Sequence, residues 1–573
     1  MSTELQKVRE IFEILHGRHQ ADLLIKNIVV LDVHGETTYK GSLLIHGGKI
    51  VALNPDETIA KARETFDGQG LFAIPGLIDA HFHFESQLVN PTALAEAIVP
   101  NGTTTIFAEC LDLIGAAGEE GVEAARVLFK DYQRLPYRIF AFAPGKKVAA
   151  GITKELLDME PFIGLGEFEH FSYSSGNEED FQKAAWAREK GGFINSHWGV
   201  TTLSDMELNF LPAIGSTNNH DVWNAEDIAK SIRYGYATQI KFGVGSPEVI
   251  ETLISAIIKH KFPEENFLLC TDNISMDRLL KQGHMGWIIS YCAKMGMSPI
   301  KAIKMATLNT ARYHRMDDKI GSLTPGRFAD IVLTDSLSDI NPLYVFKDGE
   351  LIAKEKKLLK NTDIDYSAMR KKGIPGLEDL TADQLNVSPI EMSEDGTKAK
   401  VYLFDVYGRG HAKFYQEIWL PVRNGAIVPE YEGEKLARIS VIRRYKKDGS
   451  RHIINGFFKG VYVNSGAVAT AFPVPVPYLV VVGQESGEMC CCAKEVDRYS
   501  GACIVTENGL NKAVLPTEIY GMMADMTMNE LHDKSAEVDA ALETLGNRNQ
   551  GDPVVNKLLS LFISLHRFHF MQE

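Results

Sequence analysis

Apolar and polar positions alternate with two different periods along the chain. Between residues 73 and 321, short apolar runs of strand length are separated by longer stretches with helical spacing, which is typical of parallel strands joined by crossover helices. Eight such runs predict a TIM-type (β/α)8 barrel, an α/β fold of about 250 residues. The runs are Ile74–Phe84, Thr103–Ala108, Arg138–Ala143, Phe162–Glu167, Gly192–Ser196, Ala213–Ser216, Thr238–Phe242 and Phe267–Thr271.

The sequence on either side of the barrel has other patterns. Residues 1–20 show the apolar spacing of a surface helix. Residues 21–72 and 322–360 contain short strands and turns, which we expect to form one small β-sandwich flanking the barrel. Residues 361–397 are charged and weakly patterned, as in a linker, and residues 398–573 mix strands and helices in a C-terminal α+β domain. The apolar positions of the first helix are Leu5, Val8, Ile11, Phe12 and Leu15.

Composition excludes several classes of function. Asp and Glu total 75 against 60 Lys and Arg, so the net charge of −15 argues against a dedicated nucleic-acid-binding face. The longest uncharged run, Gly466 to Gly483, contains three alternating prolines and predicts no membrane span. The seven cysteines form no Cys-x-x-Cys pair and the chain starts without a signal-peptide core. We therefore expect a cytoplasmic protein.

The first barrel strand carries the strongest chemical signal, the tripeptide His81-Phe82-His83. Alternate side chains of a strand share a face, so both imidazoles point in one direction. Two convergent imidazoles at the carboxyl end of a barrel strand are well placed to bind a metal ion. A pair of surface histidines is the competing interpretation of this motif alone.

Potential metal ligands also follow the other predicted strands. Each lies where a barrel places its active site, at the carboxyl end of a strand. A random distribution would also place such residues at strand starts and within helices. The common position therefore predicts a metal site built from several strands, although each residue taken alone is more typical of a structural hydrogen bond. The residues are Glu167, His197, His220 and Asp272.

The sequence resembles the amidohydrolase superfamily and, within it, the adenine deaminase family. The resemblance rests on four motifs, and it extends over nearly the whole chain. Most binuclear members of the superfamily carry a carbamylated lysine on the fourth strand, whereas adenine deaminases carry a glutamate, as at Glu167 here. The motifs are Pro75-Gly-Leu-Ile-Asp-Ala-His-Phe-His-Phe-Glu-Ser86, Pro100-Asn-Gly-Thr-Thr-Thr105, Glu207-Leu-Asn209 and Leu269-Cys-Thr-Asp272.

This resemblance implies a metal-dependent hydrolase with two divalent ions, manganese or iron, with zinc as a substitute. His81 and His83 would bind one ion, and the other would bind the two histidines that follow strands five and six, His197 and His220. Glu167 would bridge the ions. Asp272 would ligate one ion and act as general base for a metal-activated hydroxide, then deliver the proton to the leaving nitrogen. The reaction would be hydrolysis of the C–N bond of a cyclic amidine, adenine to hypoxanthine in type.

The sequence departs from the family around this ligand set. Glu109-Cys-Leu-Asp112 replaces Asp-Pro-His-Glu, Phe168-Glu169 replaces two methionines, and Lys241-Phe-Gly243 replaces Arg-Glu-Gly. Val474-Pro-Val-Pro-Tyr478 replaces a C-terminal His-Asp-Ser-His-Asn, and Asn273 replaces an aspartate. We therefore expect the best substrate to be a planar amino-heterocycle related to adenine, with adenine itself used roughly ten- to a hundredfold less efficiently.

Several residues near the strand ends are candidates for contact with that substrate. Aromatic side chains stack on planar rings, and charged ones pair with polar ring atoms. His284, in Gln282-Gly-His284, would polarise the substrate, and a structural histidine at a helix end is an equal alternative. The other candidates are Glu85, Phe168, Glu169 and Trp198.

Two other functions remain open from the sequence. One is a different amidohydrolase reaction, such as hydrolysis of a cyclic amide or of a pterin or triazine, although Glu167 disfavours the cyclic amidases, which mostly use lysine. The other is a catalytically silent scaffold, which the loss of a histidine at Leu111 favours and the retained ligand set disfavours. For partners we expect a small planar heterocycle and a second copy of the chain in a homodimer, with no nucleic acid and no membrane.

Overall fold

The computed structural model describes residues 3–146, 148–169, 171–197, 203–243, 247–370, 377–405, 415–443, 452–459, 462–471 and 478–546. These residues belong to two compact units. The first comprises residues 1–83, 91–109 and 131–364, and the second comprises residues 84–90, 110–130 and 365–573. No helix of the described residues is both long and apolar enough to cross a membrane.

The first unit begins with a helix and a group of five strands. Helix α1 (Thr3–Leu15) buries Ile14 against Ala21, Leu24 and Leu44. Strand β1 pairs antiparallel with β2 and parallel with β4 and β5, and β2 continues into β3. The strands are β1 (Ala21–Asp32), β2 (Thr37–His46), β3 (Lys49–Leu53), β4 (Ala62–Asp67) and β5 (Phe72–Pro75).

Eight further strands contain the predicted site. Five form a parallel sheet in the order β10-β9-β8-β7-β6, and three form a second parallel sheet in the order β11-β12-β13. Isolated parallel bridges join Ile194 to Ser216 and Phe82 to Asp272. The strands are β6 (Leu77–His83), β7 (Thr103–Glu109), β8 (Arg138–Pro144), β9 (Phe162–Glu169), β10 (Phe193–His197), β11 (Asn218–Asn219), β12 (Ala237–Lys241) and β13 (Phe267–Cys270).

Two of the predicted strands differ from the observed ones. The run Ile74–Phe84 divides at Gly76, where a Cβ atom would lie 2.2 Å from Thr104 Oγ1, so β5 and β6 belong to different sheets. The prediction of a strand over Ala213–Ser216 is wrong. A capping box between Ser204 and Glu207 starts helix α8 (Asp205–Ala213), and the strand β11 begins only after a turn at Gly215, where φ is +98°.

Helices connect the strands of the first unit, as expected for crossover connections. They are α2 (Pro91–Ile98), α5 (Ala150–Leu157), α6 (Phe171–Ser175), α7 (Glu178–Glu189), α8, α9 (Ala225–Arg233), α10 (Pro247–His260), α11 (Met276–Gln282), α12 (Met285–Lys294), α13 (Pro299–Met305) and α14 (Leu308–Tyr313). The segment between β7 and β8 holds α3 (Leu111–Ala117) and α4 (Gly121–Leu128), which belong to the second unit.

The chain then returns to its first sheet. Strand β14 pairs antiparallel with β5, with Ile331 opposite Pro75 and Val332 opposite Ile74. The flanking segments therefore share one nine-stranded sheet, whose apolar cluster includes Val30. The remaining strands of this sheet are β14 (Ile331–Thr334), β15 (Pro342–Lys347), β16 (Glu350–Lys354) and β17 (Lys357–Leu358).

The second unit contains a ten-stranded sheet in the order β21-β20-β19-β25-β24-β27-β26-β28-β29, with β18 paired to β19, and a separate pair β22-β23. Leu377, Leu380 and Leu385, in the stretch expected as a linker, are buried in its core. Its elements are β18 (Glu391–Met392), β19 (Lys398–Asp405), β20 (Tyr415–Arg423), β21 (Ala426–Ile427), β22 (Glu430–Tyr431), β23 (Glu434–Lys435), β24 (Ala437–Arg443), β25 (Ile453–Lys459), β26 (Ala467–Thr470), β27 (Tyr478–Gly483), α15 (Ser486–Arg498), β28 (Ala502–Glu507), β29 (Leu510–Pro516) and α16 (Met528–Thr544).

Candidate metal centre

Four of the predicted ligands meet at the carboxyl ends of three strands. His81 and His83 end β6, and their Nε2 atoms lie 3.2 Å apart. Glu167 of β9 places Oε1 3.1 Å from His83 Nε2, and Asp272, two residues after β13, places Oδ1 3.3 Å from the same atom. All four residues are buried. Two imidazoles and two carboxylates therefore share one small volume.

The two other predicted histidines lie beside this group. His220 follows β11, its ring centroid is 4.5 Å from that of His81, and one donor atom each of His81, Glu167 and His220 lie within 4.8 Å of one another. His197, His220 and Asp221 form a second such group. Burial lowers the pKa of His220 to about 3, which keeps its imidazole neutral and able to act as a ligand.

The backbone is strained at both carboxylate ligands. Glu167 has a φ of +40° and Asp272 a φ of +57°, a region that residues with a Cβ seldom adopt. The pairing of β9 with β10 is also irregular between Leu165 and Phe168. Strained residues of this kind concentrate at functional sites, where the surrounding structure enforces them. Here the strain directs both carboxylates toward the histidines.

Lys146, just after β8, is a member of the site that the sequence analysis did not identify. Its Nζ lies 2.9 Å from Glu167 Oε2 and 2.7 Å from Glu169 Oε1. Burial alone would raise the pKa of the Glu167 carboxyl, but Lys146, His197 and His83 hold it well below its ordinary value. Glu167 is therefore ionised, with one oxygen toward the histidines and the other toward a buried ammonium group.

A second, partly buried lysine lies beside the carboxylates on the other side of the site. Lys241 Nζ lies 2.6 Å from Asp221 Oδ1 and 3.4 Å from Asp272 Oδ2. Although burial opposes its charge, these two carboxylates hold the pKa of Lys241 above its ordinary value. The pKa of Asp272 is lowered in turn because Lys241 and the nearby histidines outweigh its burial. Asp272 is thus ionised, as a metal ligand or a general base requires.

Glu109, the last residue of β7, is fully buried beside His81. Its Oε1 lies 3.7 Å from His81 Nδ1 and accepts a hydrogen bond from Asn195 Nδ2 at 3.2 Å. Burial raises the pKa of Glu109 to about 7. At 3.7 Å this carboxyl group lies beside the second nitrogen of His81 without a hydrogen bond to it.

Asp79 of β6 forms hydrogen bonds with Thr271, the residue that follows β13. Its carboxylate accepts hydrogen bonds from the Thr271 backbone N–H at 3.1 Å and from Thr271 Oγ1 at 2.5 Å. The same carboxylate lies 3.1 Å from His284 Nε2, and His284 Nδ1 lies 2.7 Å from Thr103 Oγ1. Both ring nitrogens of His284 thus face protein groups, and its role on the substrate stays a prediction.

Two protein families match separate parts of the chain. Residues 201–352 match the amidohydrolase family and residues 415–565 match the adenine deaminase C-terminal domain. The chain is 33% identical over 561 residues to an adenine deaminase of Desulforamulus reducens, covering 95% of this chain and 92% of that protein. The chain belongs to the adenine deaminase family. The resemblance inferred from the motifs is thereby confirmed.

Other relatives are more distant. An adenine deaminase of Lysinibacillus sphaericus is 28% identical over 557 residues, which cover 95% of this chain and 93% of that protein. A solved structure of an enamidase, described as a member of the amidohydrolase superfamily, is 14% identical and covers 60% of this chain and 100% of its own, with a TM-score of 0.46.

Three of the four predicted substrate residues lie within the described part of the chain of this member of the adenine deaminase family. Glu169 lies in the site, paired with Lys146, and Phe168 is fully buried beside it on β9. Glu85 lies in the second unit, where its Oε1 accepts a hydrogen bond from the Leu113 backbone N–H. Trp198 lies outside the described residues, as does most of the segment 474–478.

The donor set fits the divalent metal ions of the amidohydrolases. Donor atoms around a tetrahedral ion with bonds of about 2.0–2.2 Å lie about 3.3–3.6 Å apart, and the Nε2 atoms of His81 and His83, at 3.2 Å, are close to this range. A mixture of imidazole and carboxylate donors suits manganese, iron and zinc. The chemistry and convergence of these side chains are therefore those of a candidate metal centre.

Proposed function

We propose that this chain is a metal-dependent hydrolytic deaminase of a planar amino-heterocycle related to adenine. The observation that carries the proposal is the convergence of His81, His83, Glu167 and Asp272 within a few ångströms in a member of the adenine deaminase family. The names of the relatives make adenine the first substrate to test.

We assign the metal to manganese or iron, with zinc as a substitute, bound by His81 and His83 together with Asp272. A second ion would be bound by His197 and His220, with Glu167 between the two. A divalent ion at such a site lowers the pKa of water from 15.7 to roughly 7, which makes hydroxide available at neutral pH. In that role Glu167 would also keep Lys146 as a neighbour, since its Oε2 lies 2.9 Å from the ammonium group of Lys146.

In the proposed reaction Asp272 first accepts a proton and then donates it. Its ionised carboxylate accepts a proton from the attacking water as the new C–O bond forms and the electron pair of the ring C=N bond moves to the ring nitrogen. It then delivers that proton to the amino nitrogen as the C–N bond breaks and ammonia leaves, and the remaining hydroxyl proton passes to the ring nitrogen of the product. Lys241, 3.4 Å from Asp272 Oδ2, holds this carboxylate in place. His81 and His83 lie on the other side of the Asp272 carboxylate.

We assign substrate selection to the ion pair of Lys146 and Glu169, and we call this pair the charged wall of the site. A buried polar group that loses its partner costs about 1–3 kcal/mol, so a ring whose polar atoms do not match this wall is disfavoured. We therefore propose that adenine is used less efficiently than the best substrate, by roughly ten- to a hundredfold at 1.4 kcal/mol per decade.

A panel of adenine, guanine, aminopterins and aminotriazines, assayed by ammonia release at equal metal loading, tests this function. We expect turnover of at least one compound and its loss in Asp272→Asn, whereas Asp277→Asn on helix α11 serves as the matched control and should stay active. Ring opening of a cyclic amide without ammonia would favour a different amidohydrolase reaction. No turnover of any compound by metal-loaded protein would favour a scaffold. If adenine is clearly the best substrate, the proposed preference for a related heterocycle over adenine is refuted.

For the architecture we propose that β6 to β13 close into one (β/α)8 barrel. In support, Gln239 Nε2 of β12 donates a hydrogen bond to the Ala80 carbonyl of β6 at 3.1 Å, and the Asp272 backbone N–H donates to the His81 carbonyl at 2.9 Å. The sandwich arrangement of the flanking sheet, the domain boundaries, the homodimer and the cytoplasmic location stay predictions from the sequence.

A further inference from the structure

A second group of metal-binding side chains lies on the surface of the first unit, at the end of helix α1. Glu10 comes from α1, His19 from the turn that follows it, and His46 is the last residue of β2. His46 Nε2 lies 3.1 Å from Glu10 Oε1, and His19 Nε2 lies 3.7 Å from the same oxygen. One donor atom from each residue lies within 4.8 Å of the others.

A carboxylate also lies beside the other ring nitrogen of His46. Asp22, the second residue of β1, places Oδ2 3.2 Å from His46 Nδ1, and the same oxygen accepts a hydrogen bond from the Gly47 backbone N–H at 2.8 Å. A carboxylate beside one nitrogen of an imidazole favours metal binding by the other nitrogen. The Nε2 atom of His46 lies on the side of Glu10, 3.1 Å from its Oε1.

We propose that Glu10, His19 and His46 bind a divalent transition-metal ion, with zinc as the cation that this chemistry favours. Two imidazoles and one carboxylate form a common three-residue zinc set, which leaves a fourth position for water. The side chains of Glu10 and His19 are each 45% exposed and that of His46 is 13% exposed, so an ion can enter from solvent. The site shares no residue with the metal centre at the strand ends.

Such an ion would link α1 to the sheet that contains β2. Among the described residues of α1, Ile14 is the one fully buried side chain, and an isolated helix of 13 residues is only marginally stable in water. The ion would join α1 and the turn after it to β2 through three side-chain bonds. Binding of zinc should therefore protect the backbone amides of α1 from hydrogen exchange.

The test uses the full chain with its catalytic centre already loaded with manganese, to which zinc is added in equimolar steps. Bound zinc is measured by elemental analysis after gel filtration. We expect wild type to bind one zinc more than the double variant Glu10→Gln/His19→Gln, and hydrogen exchange of the α1 amides to slow at least about tenfold with zinc in wild type alone. His16→Gln, which changes an exposed histidine of the same turn, is the matched control and should behave as wild type.

Asp22→Asn provides a graded variant, because it removes the orienting charge but not a ligand. Its zinc affinity should fall about 10- to 100-fold. Equal zinc stoichiometry in wild type and the double variant, or unchanged exchange of α1 with zinc, overturns the proposal. Deaminase activity should be the same in all four proteins, so failure of the proposed catalytic function would be seen separately.

Discussion

Substitution of Lys146 by methionine would leave two buried carboxylates without their cation. Methionine has nearly the length and volume of lysine, so the change removes a charge and leaves the packing almost intact. In the native protein, Nζ lies within 2.9 Å of both Glu167 and Glu169, and the exposed fractions of the three side chains are 7%, 7% and 12%. We expect this variant to lose stability in the metal-free state.

Burial determines the size of that loss. Removal of one partner from a buried ion pair costs about 3–5 kcal/mol because the other charge stays desolvated. An exposed pair of the same geometry contributes about 0–1 kcal/mol. Lys534 and Glu537 of α16 provide the comparison, since they lie 2.7 Å apart with side chains 43% and 53% exposed. Lys534→Met should therefore be nearly neutral.

The assay is hydrogen exchange of the β9 amides in chelator-treated protein, which reports the free energy of opening of the unit that contains Lys146. Lys146→Met should lower this free energy by about 3–5 kcal/mol. Lys146→Met/Glu169→Gln should recover at least about 1 kcal/mol, because one uncompensated carboxylate is gone. A loss below about 1 kcal/mol in the folded single variant would refute the reasoning, since it would mean that Lys146 is not a buried counter-ion.

Three further predictions concern metal, rate and folding. His81→Ala/His83→Ala should lose metal measured by elemental analysis after purification in metal-free buffer, and full retention would exclude these histidines as ligands. Asp272→Asn should keep much of its metal yet lose about 10²–10⁴-fold in turnover, and near-normal rates of ammonia release would place the base elsewhere. Thr527→Ala removes the capping box at the start of α16 and should cost about 1 kcal/mol in hydrogen exchange of that helix, whereas an unchanged value would show that the cap is dispensable.

Side chains alternate between the two faces of a strand, and this two-residue period explains why part of the site could be predicted from the sequence. His81 and His83 share a face because they are two residues apart on one strand, and Glu167 and Asp272 follow strands whose apolar runs are easily identified. These positions could be predicted because parallel strands place their carboxyl ends on one side of a sheet. The convergence that the structure displays is a direct consequence of that rule.

Other features of the site depend on contacts between separate parts of the chain, which the spacing of apolar and polar positions does not predict. Lys146 lies in an irregular segment after β8, and a lysine in such a segment normally faces solvent. Its burial becomes evident only once β9 brings Glu167 and Glu169 beside it. Asp79 and Glu109 lie within apolar strands, where a carboxylate is the unusual residue, and that contrast was a usable signal. The prediction of a strand at Ala213–Ser216 is wrong because helix α8 continues to Ala213 and is followed by the turn at Gly215.

The pairing of β5 with β14 has a consequence for how the chain folds during synthesis. Ile74 lies opposite Val332, so about 260 residues must leave the ribosome before this ladder can form, which takes about 13–50 s at 5–20 residues per second. During that interval the side of β5 that will receive β14 has no partner from the same sheet, and an unpaired strand edge invites association with other chains. The longer this interval lasts, the more the nascent chain should depend on chaperones until residue 334 has emerged.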